Sequence, residues 1–192
     1  TETWVKGKPY VIYNNLVIDT AETLTIEEGT RIYFHRNSSM TVDGTLIVNG
    51  TVESPVLIAG DRLEKLYQDV PGQWKGILLL NCSSGNIINH AIIRNAIYGI
   101  QSGESSPAPG KPGLKIYSSV IMHSSVSGIS AVNSDIQAVN SVISHCGTYC
   151  VFIASGGDYS FIHCTVSNWW DYSVRLTPAL YITGSSENQP VT

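Results

Sequence analysis

Charge is what this chain has least of. Lys, Arg, Asp and Glu make up 14% of its 192 residues, and the formal net charge is −4 at pH 7. Binding a phosphate backbone requires clustered Lys and Arg, and the 11 such residues here are scattered. Nucleic acid is therefore excluded as a partner. No run of 18 apolar residues exists, so no segment reads as a membrane-spanning helix. A secretion signal is also missing, but the chain opens at Thr1 without a Met, so that absence says little. Helical repeats fail as well. Ankyrin-type and tetratricopeptide units need about 33 to 34 residues and long amphipathic runs, and β-branched residues and serines at this density disfavour helix interiors.

What is present is a repeat. Four copies of one unit lie between Asn86 and Ala179, with cores "NHAIIRNAIYGI", "SSVIMHSSVSGI", "NSVISHCGTYCVFI" and "HCTVSNWWDYSV". Aligned on their apolar pairs, Ile92-Ile93, Val120-Ile121, Val142-Ile143 and Thr165-Val166 coincide. The spacings are 28, 22 and 23 residues, and the longest holds the insertion "GESSPAPGKPG". A period in the low twenties, rich in β-branched and turn residues, signals a β-solenoid.

Each copy repeats the same chemistry at the same offset. A small residue precedes the pair (Ala91, Ser119, Ser141, Cys164), and alternation puts it on the same inward face as Ile93, Ile121, Ile143 and Val166. Asn95, His123, His145 and Asn168 follow, as short polar residues suited to a tight bend. A second inward apolar row is expected at Ile100, Ile129, Val151 and Val174. Like residues stacked about 4.8 Å apart along an axis would fill the core. The crossover rule favours right-handed coiling. The expected fold is all-β: a right-handed, single-stranded parallel β-helix of the pectin-lyase-like solenoid type, with one short helix near 61–69.

The chain reads as a single domain over 1–192. Residues 1–60 form shorter opening coils, with strands closed by turns at Gly29, Gly44 and Gly50. Residues 61–73, "DRLEKLYQDVPGQ", form a helical insertion in which Asp61 caps, Glu64 completes a capping box and Leu63, Leu66 and Tyr67 share a face against the coil. Residues 74–181 are the regular rungs, and 182–192 a loop. No polar cap closes this end, which leaves an open coil edge. The expectation is that the natural chain continues past Thr192, or that a partner covers the end.

Four cysteines, Cys82, Cys146, Cys150 and Cys164, permit disulfides by count. Small buried hydrophobes in the repeat explain Cys146 and Cys164 without a bond, so free thiols are the expectation and the redox compartment stays open. Asn-x-Ser/Thr triplets at Asn37, Asn49 and Asn81 matter only in a eukaryotic secretory setting, and turn chemistry explains them equally well.

Several stretches carry a resemblance: "GKPYVIYNNLVID", "LTIEEGTRIYFH", "VDGTLIVNGTVESPV" and "GDRLEKLYQDVPGQWKGI". The most specific is the block from Gly60-Asp61-Arg62-Leu63 to Pro71-Gly72-Gln73-Trp74. Through these and the rungs to about Tyr181, the chain resembles a family of Bacteroidetes surface lipoproteins with right-handed parallel β-helix repeats. The resemblance implies a place at the cell surface, on the outer membrane. The implied membrane link is only a lipid anchor on an upstream cysteine that this sequence lacks. It implies no catalytic residues, because the family has no well-established activity.

Solenoids of this shape often act on acidic polysaccharides, so catalysis must be weighed. A glycoside hydrolase needs two carboxylates about 5 to 10 Å apart. The Asn-Thr-Asp, Asp-Asp, His-Gly and Arg-Ile-Lys motifs of polygalacturonases are absent, as is the multi-acid calcium set of pectate lyases. Of the few acids in the rungs (Glu104, Asp135, Asp158, Asp171), only Asp135 and Asp158 fall in register, and turn residues opening strands account for them. His123 and His145 stack without a third ligand in register, which suits a polar bend ladder better than a metal site. His90 and His163 share another, outward offset. No nucleophile, base and orienting acid come together.

The segment that breaks the repeat is "NWWDYSV". Trp169 stands where Ala96, Ser124 and Cys146 stand below it. Trp169, Trp170, Asp171 and Tyr172, with Tyr149 expected one rung below Tyr172, are the candidate ligand-binding residues. Sugar faces stack on such rings while a carboxylate accepts hydroxyl hydrogen bonds. The alternative is that these rings cover the core near a tapering end. The leading expectation is a non-catalytic surface β-helix recognising glycan or protein ligands within an outer-membrane uptake assembly. No catalytic residue, cofactor or metal is expected; the partners are polysaccharide or other outer-membrane proteins. The alternatives are a lyase or hydrolase with active residues outside this chain, and a structural or adhesive spacer.

Overall fold

A computed structural model describes residues 1–103 and 110–184. Most of the "GESSPAPGKPG" insertion and all but the first residues of the expected terminal loop thus lie outside the described residues.

Every coil lays down three strands in succession, one in each of three seven-stranded parallel sheets. One coil runs Gly113–Tyr117, Val120–Ser124, Ser127–Val132, and the next runs Asp135–Val139, Val142–Cys146, Tyr149–Ala154. The register predicted from the repeat is the register of the second sheet. Ile92 pairs with Val120, Val120 with Val142, and Val142 with Thr165.

Pairing every coil with the one above stacks like on like. Ile32, Ile58, Ile93, Ile121, Ile143 and Val166 form one column through the second sheet. Met40, Ile77, Ile100, Ile129 and Val151 form the facing column in the third. Apart from Val166 these residues are buried, and such stacking gives a coil a core that it could not build alone. Asn86 replaces an aliphatic residue in a first-sheet column. Its amide is fully used: Oδ1 accepts from Leu46 N at 2.9 Å, and Nδ2 donates to Ser83 Oγ at 2.8 Å and Gly113 O at 3.0 Å. A buried amide satisfied in this way spares the coil a desolvation cost.

In the later coils the first two corners each turn on one residue in the left-handed region. His90, Ser118, Asn140 and His163 occupy it between the first and second sheets, and Asn95, His123 and His145 between the second and third. One such residue bends the chain sharply without lengthening it, which favours short polar side chains. At the first corner the inward serines extend the ladder. Ser119 Oγ accepts from Ala91 N at 3.0 Å, and Ser141 Oγ from Ser119 N at 3.2 Å.

Two details differ from the expectations above. The helical turn falls inside 61–69, but it is a single 3₁₀ turn, Lys65–Tyr67, whose cap position Glu64 makes no side-chain cap bond. Asp61 is engaged elsewhere, 2.6 Å from His35 Nδ1, and Glu64 pairs with Arg62. Without a longer helix no apolar face forms, and Leu63 and Leu66 project into solvent. Likewise Val174 is not in the inward row. Leu180 pairs with Val151 instead, and Val174 is 87% exposed. The chain leaves the coil after Thr165–Ser167 and rejoins it only at Leu180–Thr183.

The two ends differ. Trp4 and Tyr10 stack at 4.3 Å over the first coil. In the last described coil, Tyr159, Phe161, Val166, Leu180 and Ile182 line a mouth of about 360 Å³.

Candidate functional site

The corner between the second and third sheets gathers two excursions from the coil, residues 61–73 and 168–179. At its base Asn95 is buried, and its Nδ2 donates to Gln68 O and Val70 O, each at 2.9 Å. These bonds, with Gln73 N donating to Asn95 O at 2.7 Å, fasten residues 61–73 alongside the corner.

His123 stands one coil above Asn95. Its ring lies 4.9 Å from that of His145, tilted by 39°. Nε2 of His123 is 3.5 Å from Asp69 Oδ1, and Asp69 comes from the 61–73 excursion. Burial pushes the His123 pKa down, outweighing the opposing pull of Asp69; His145 and Arg94 press the same way as burial. The imidazole is therefore held neutral under conditions where a solvated one would begin to protonate. His145 Nδ1 shares a hydrogen bond with Ser144 Oγ at 2.9 Å.

Asn168 tops the ladder and brackets one peptide. Its Oδ1 accepts from Cys146 N at 2.8 Å and its Nδ2 donates to Cys146 O at 2.7 Å. The second excursion starts here and is fastened again at its far foot, where Ala179 O accepts from Cys150 N at 2.8 Å. Between the feet, Arg175 Nη1 donates to Thr148 O at 3.2 Å, and Thr177 donates to the same carbonyl. Trp170 rests on Gly147, where an added Cβ would come 3.0 Å from Cζ2 of the indole.

Fastened in this way, the excursion presents aromatic rings to water. Trp169 is 70% exposed and Tyr172 55% exposed. The Trp170 and Tyr172 rings are 5.0 Å apart at 56°. Trp169 Nε1 donates to Asp171 Oδ1 at 2.7 Å, and Trp170 Nε1 to Ser173 Oγ at 3.1 Å. The Tyr172 hydroxyl donates to Asp69 O at 3.2 Å, tying the two excursions together.

Of the five residues expected from sequence, four come together. Tyr149 does not join them. Its ring packs on Tyr181 at 5.3 Å and Phe152 at 5.5 Å, on the outer face of the third sheet. Because Tyr172 rides on an excursion rather than a rung, the repeat offset that pairs it with Tyr149 does not apply. Asp69 carries no signal in the sequence, because no period links one insertion to another.

Asp135 and Asp158 do stack, at a different place. Asp135 Oδ1 accepts from Asp158 N at 2.9 Å and lies 3.9 Å from Lys111 Nζ. They border a groove of about 520 Å³ over four first-sheet strands, with Gly85, Gly113, Lys115 and Gln137. Among the described residues, no three His, Cys, Asp or Glu side chains converge as metal ligands. All four cysteines are free thiols.

A sequence model described as "right handed beta helix region" matches residues 5–189. The chain belongs to the right-handed β-helix family. No curated protein and no solved structure matches it. Membership in the family accounts for the stacked columns and the left-handed corner residues. It says nothing of these two excursions, where the chain leaves the repeat.

Proposed function

We propose that this β-helix is a non-catalytic recognition module of the cell surface, working within an outer-membrane uptake assembly and binding glycan at Trp169, Trp170, Asp171 and Tyr172. The observation that carries this reading is the exposure of Trp169 and Tyr172 on an excursion fastened at both feet. Leaving large rings in water is unfavourable unless a partner covers them, and the anchored feet hold the rings in place beforehand, lowering the ordering cost of binding. A spacer would have no use for such rings. Asp171 lies beside them as an acceptor for sugar hydroxyls.

The groove that holds Asp135 and Asp158 favours a second reading, a polysaccharide lyase or hydrolase completed by residues outside this chain. One experiment separates the two: incubation with a broad polysaccharide panel, scoring both binding and the appearance of new chain ends or unsaturated products. Binding without cleavage, lost in Trp170→Ala, is the expected result. Cleavage would replace the recognition reading with an enzymatic one, and silence toward every glycan would turn attention to a protein ligand.

A further inference from the structure

The charges around the rings narrow the ligand. Asp69 and Asp171 both lie close enough to the Tyr172 hydroxyl to act on it; together with burial, the largest influence, they raise its pKa. Neither carboxylate forms an ion pair with a Lys or Arg among the described residues. Among the described residues Asp69 pairs with His123, which burial keeps neutral and on which the Arg94 charge also acts. Asp171 accepts only the neutral Trp169 N–H among the bonds described. The nearby guanidinium of Arg175 is turned to Thr148 O at the root of the excursion. Two exposed carboxylates, neither in an ion pair with Lys or Arg among the described residues, therefore lie near the Tyr172 hydroxyl, Asp171 also against the exposed Trp169 ring.

Aromatic faces carry negative quadrupole potential and attract ammonium groups. Carboxylates beside them add to that attraction and repel an acidic sugar. A neutral sugar would gain from the rings and little from the charge. We infer that the ligand is a glycan bearing free, protonated amines, with an ammonium held by Asp69 and Asp171 beside the exposed rings of Trp169 and Tyr172. This inference rests on the recognition reading and adds the chemical class of its ligand. It also assigns a role to Asp69, which lies 103 residues from Tyr172 in the chain.

The test is isothermal titration of the whole chain with three tetramers: fully deacetylated glucosamine, N-acetylglucosamine and galacturonate. The glucosamine tetramer should bind about tenfold tighter than its N-acetylated form, the size of one ring–cation contact, and the galacturonate should bind weakest. Added salt should narrow the gap. Asp69→Asn and Asp171→Asn should each weaken the glucosamine tetramer several-fold, and by clearly more than they weaken the N-acetylated one. Trp169→Ala, at an exposed ring, serves beside Trp170→Ala in case the latter disturbs packing on Gly147; circular dichroism checks both folds. Equal or tighter binding of the acetylated or acidic tetramer, lost on either tryptophan change, would overturn the amine assignment and spare the recognition reading. Binding at the tryptophans by only some other glycan of the broad panel would do the same. Failure of every glycan to bind would overturn both.

Discussion

The hydroxyl of Tyr172 donates to the backbone carbonyl of Asp69 at 3.2 Å, tying together two excursions that lie 103 residues apart in the chain. Each excursion is separately fastened to the same corner, the first through Asn95 and the second through Asn168. The hydroxyl bond is thus a cross-brace and not a foundation. Tyr172→Phe should lower stability by no more than about 1 kcal/mol, as for a partly solvated hydrogen bond. Amide hydrogen exchange across residues 168–179 should nevertheless quicken, because the cross-brace sets the local opening free energy. Unchanged exchange there would mean that the feet alone hold the excursion.

Stability should depend on pH through His123. Its folded-state pKa lies below the ordinary value of 6.5 because burial disfavours the imidazolium. As pH falls through 6.5 the unfolded chain takes up the proton first, so folding stability declines from there down to the depressed folded pKa. Above that window the contribution is complete. His123→Asn, which copies the residues at Asn95 and Asn168, should flatten this part of the curve. Urea midpoints measured between pH 7.5 and 5 decide it; an unaltered slope in the variant would place the titration on another group.

The stacking columns are legible in the sequence because a solenoid repeats its inward residues at a fixed offset. Ile93, Ile121 and Ile143 announce one another. The corner positions are legible for the same reason, since Asn95, His123 and His145 all take the left-handed bend. Periodicity fails where the chain stops being periodic. "NWWDYSV" still alternates, so Val174 reads as a rung residue, although the coil does not resume until Leu180. "DRLEKLY" carries a capping-box pattern, but Asp61 is drawn to His35 and the helix does not propagate beyond one turn. The candidate site lies between these two aperiodic segments, so the half on the second is visible in the sequence and Asp69 is not.

The register makes a paired prediction about packing. Ile121 is wholly buried between Ile93 and Ile143, and truncation to Ala leaves a cavity in the column, which costs about 2 to 5 kcal/mol. Val174→Ala should cost almost nothing, since that side chain is in water. Had Val174 occupied the inward row, the two losses would be comparable. Chemical denaturation of both variants measures the difference directly, with the m-value reporting any loss of the two-state transition.

Thiol reactivity tests the inner wall of the same corner. Cys146 and Cys150 are both buried, and their thiols donate to Ser144 O at 3.2 Å and Ser167 O at 3.4 Å. The Cys146 thiol is pushed far up by its hydrogen-bonded neighbour Cys150 and by burial, so it stays protonated at neutral pH. The thiolate is the reactive species and must also be reached by reagent. Cys146 is thus protected twice over, while Cys150, whose pKa its hydrogen bond with Cys146 lowers, is protected by burial alone. Neither should react in the folded chain. Cys82 is exposed and should react first, with Cys164 slower behind it. A disulfide-exchange reagent should therefore show one fast thiol, removed by Cys82→Ser, with Cys146 and Cys150 appearing only on unfolding. Because both feet of the second excursion sit on Cys146 and Cys150, early labelling of this pair would mean that the excursion opens readily. The rings it carries would then be mobile rather than held ready for a ligand.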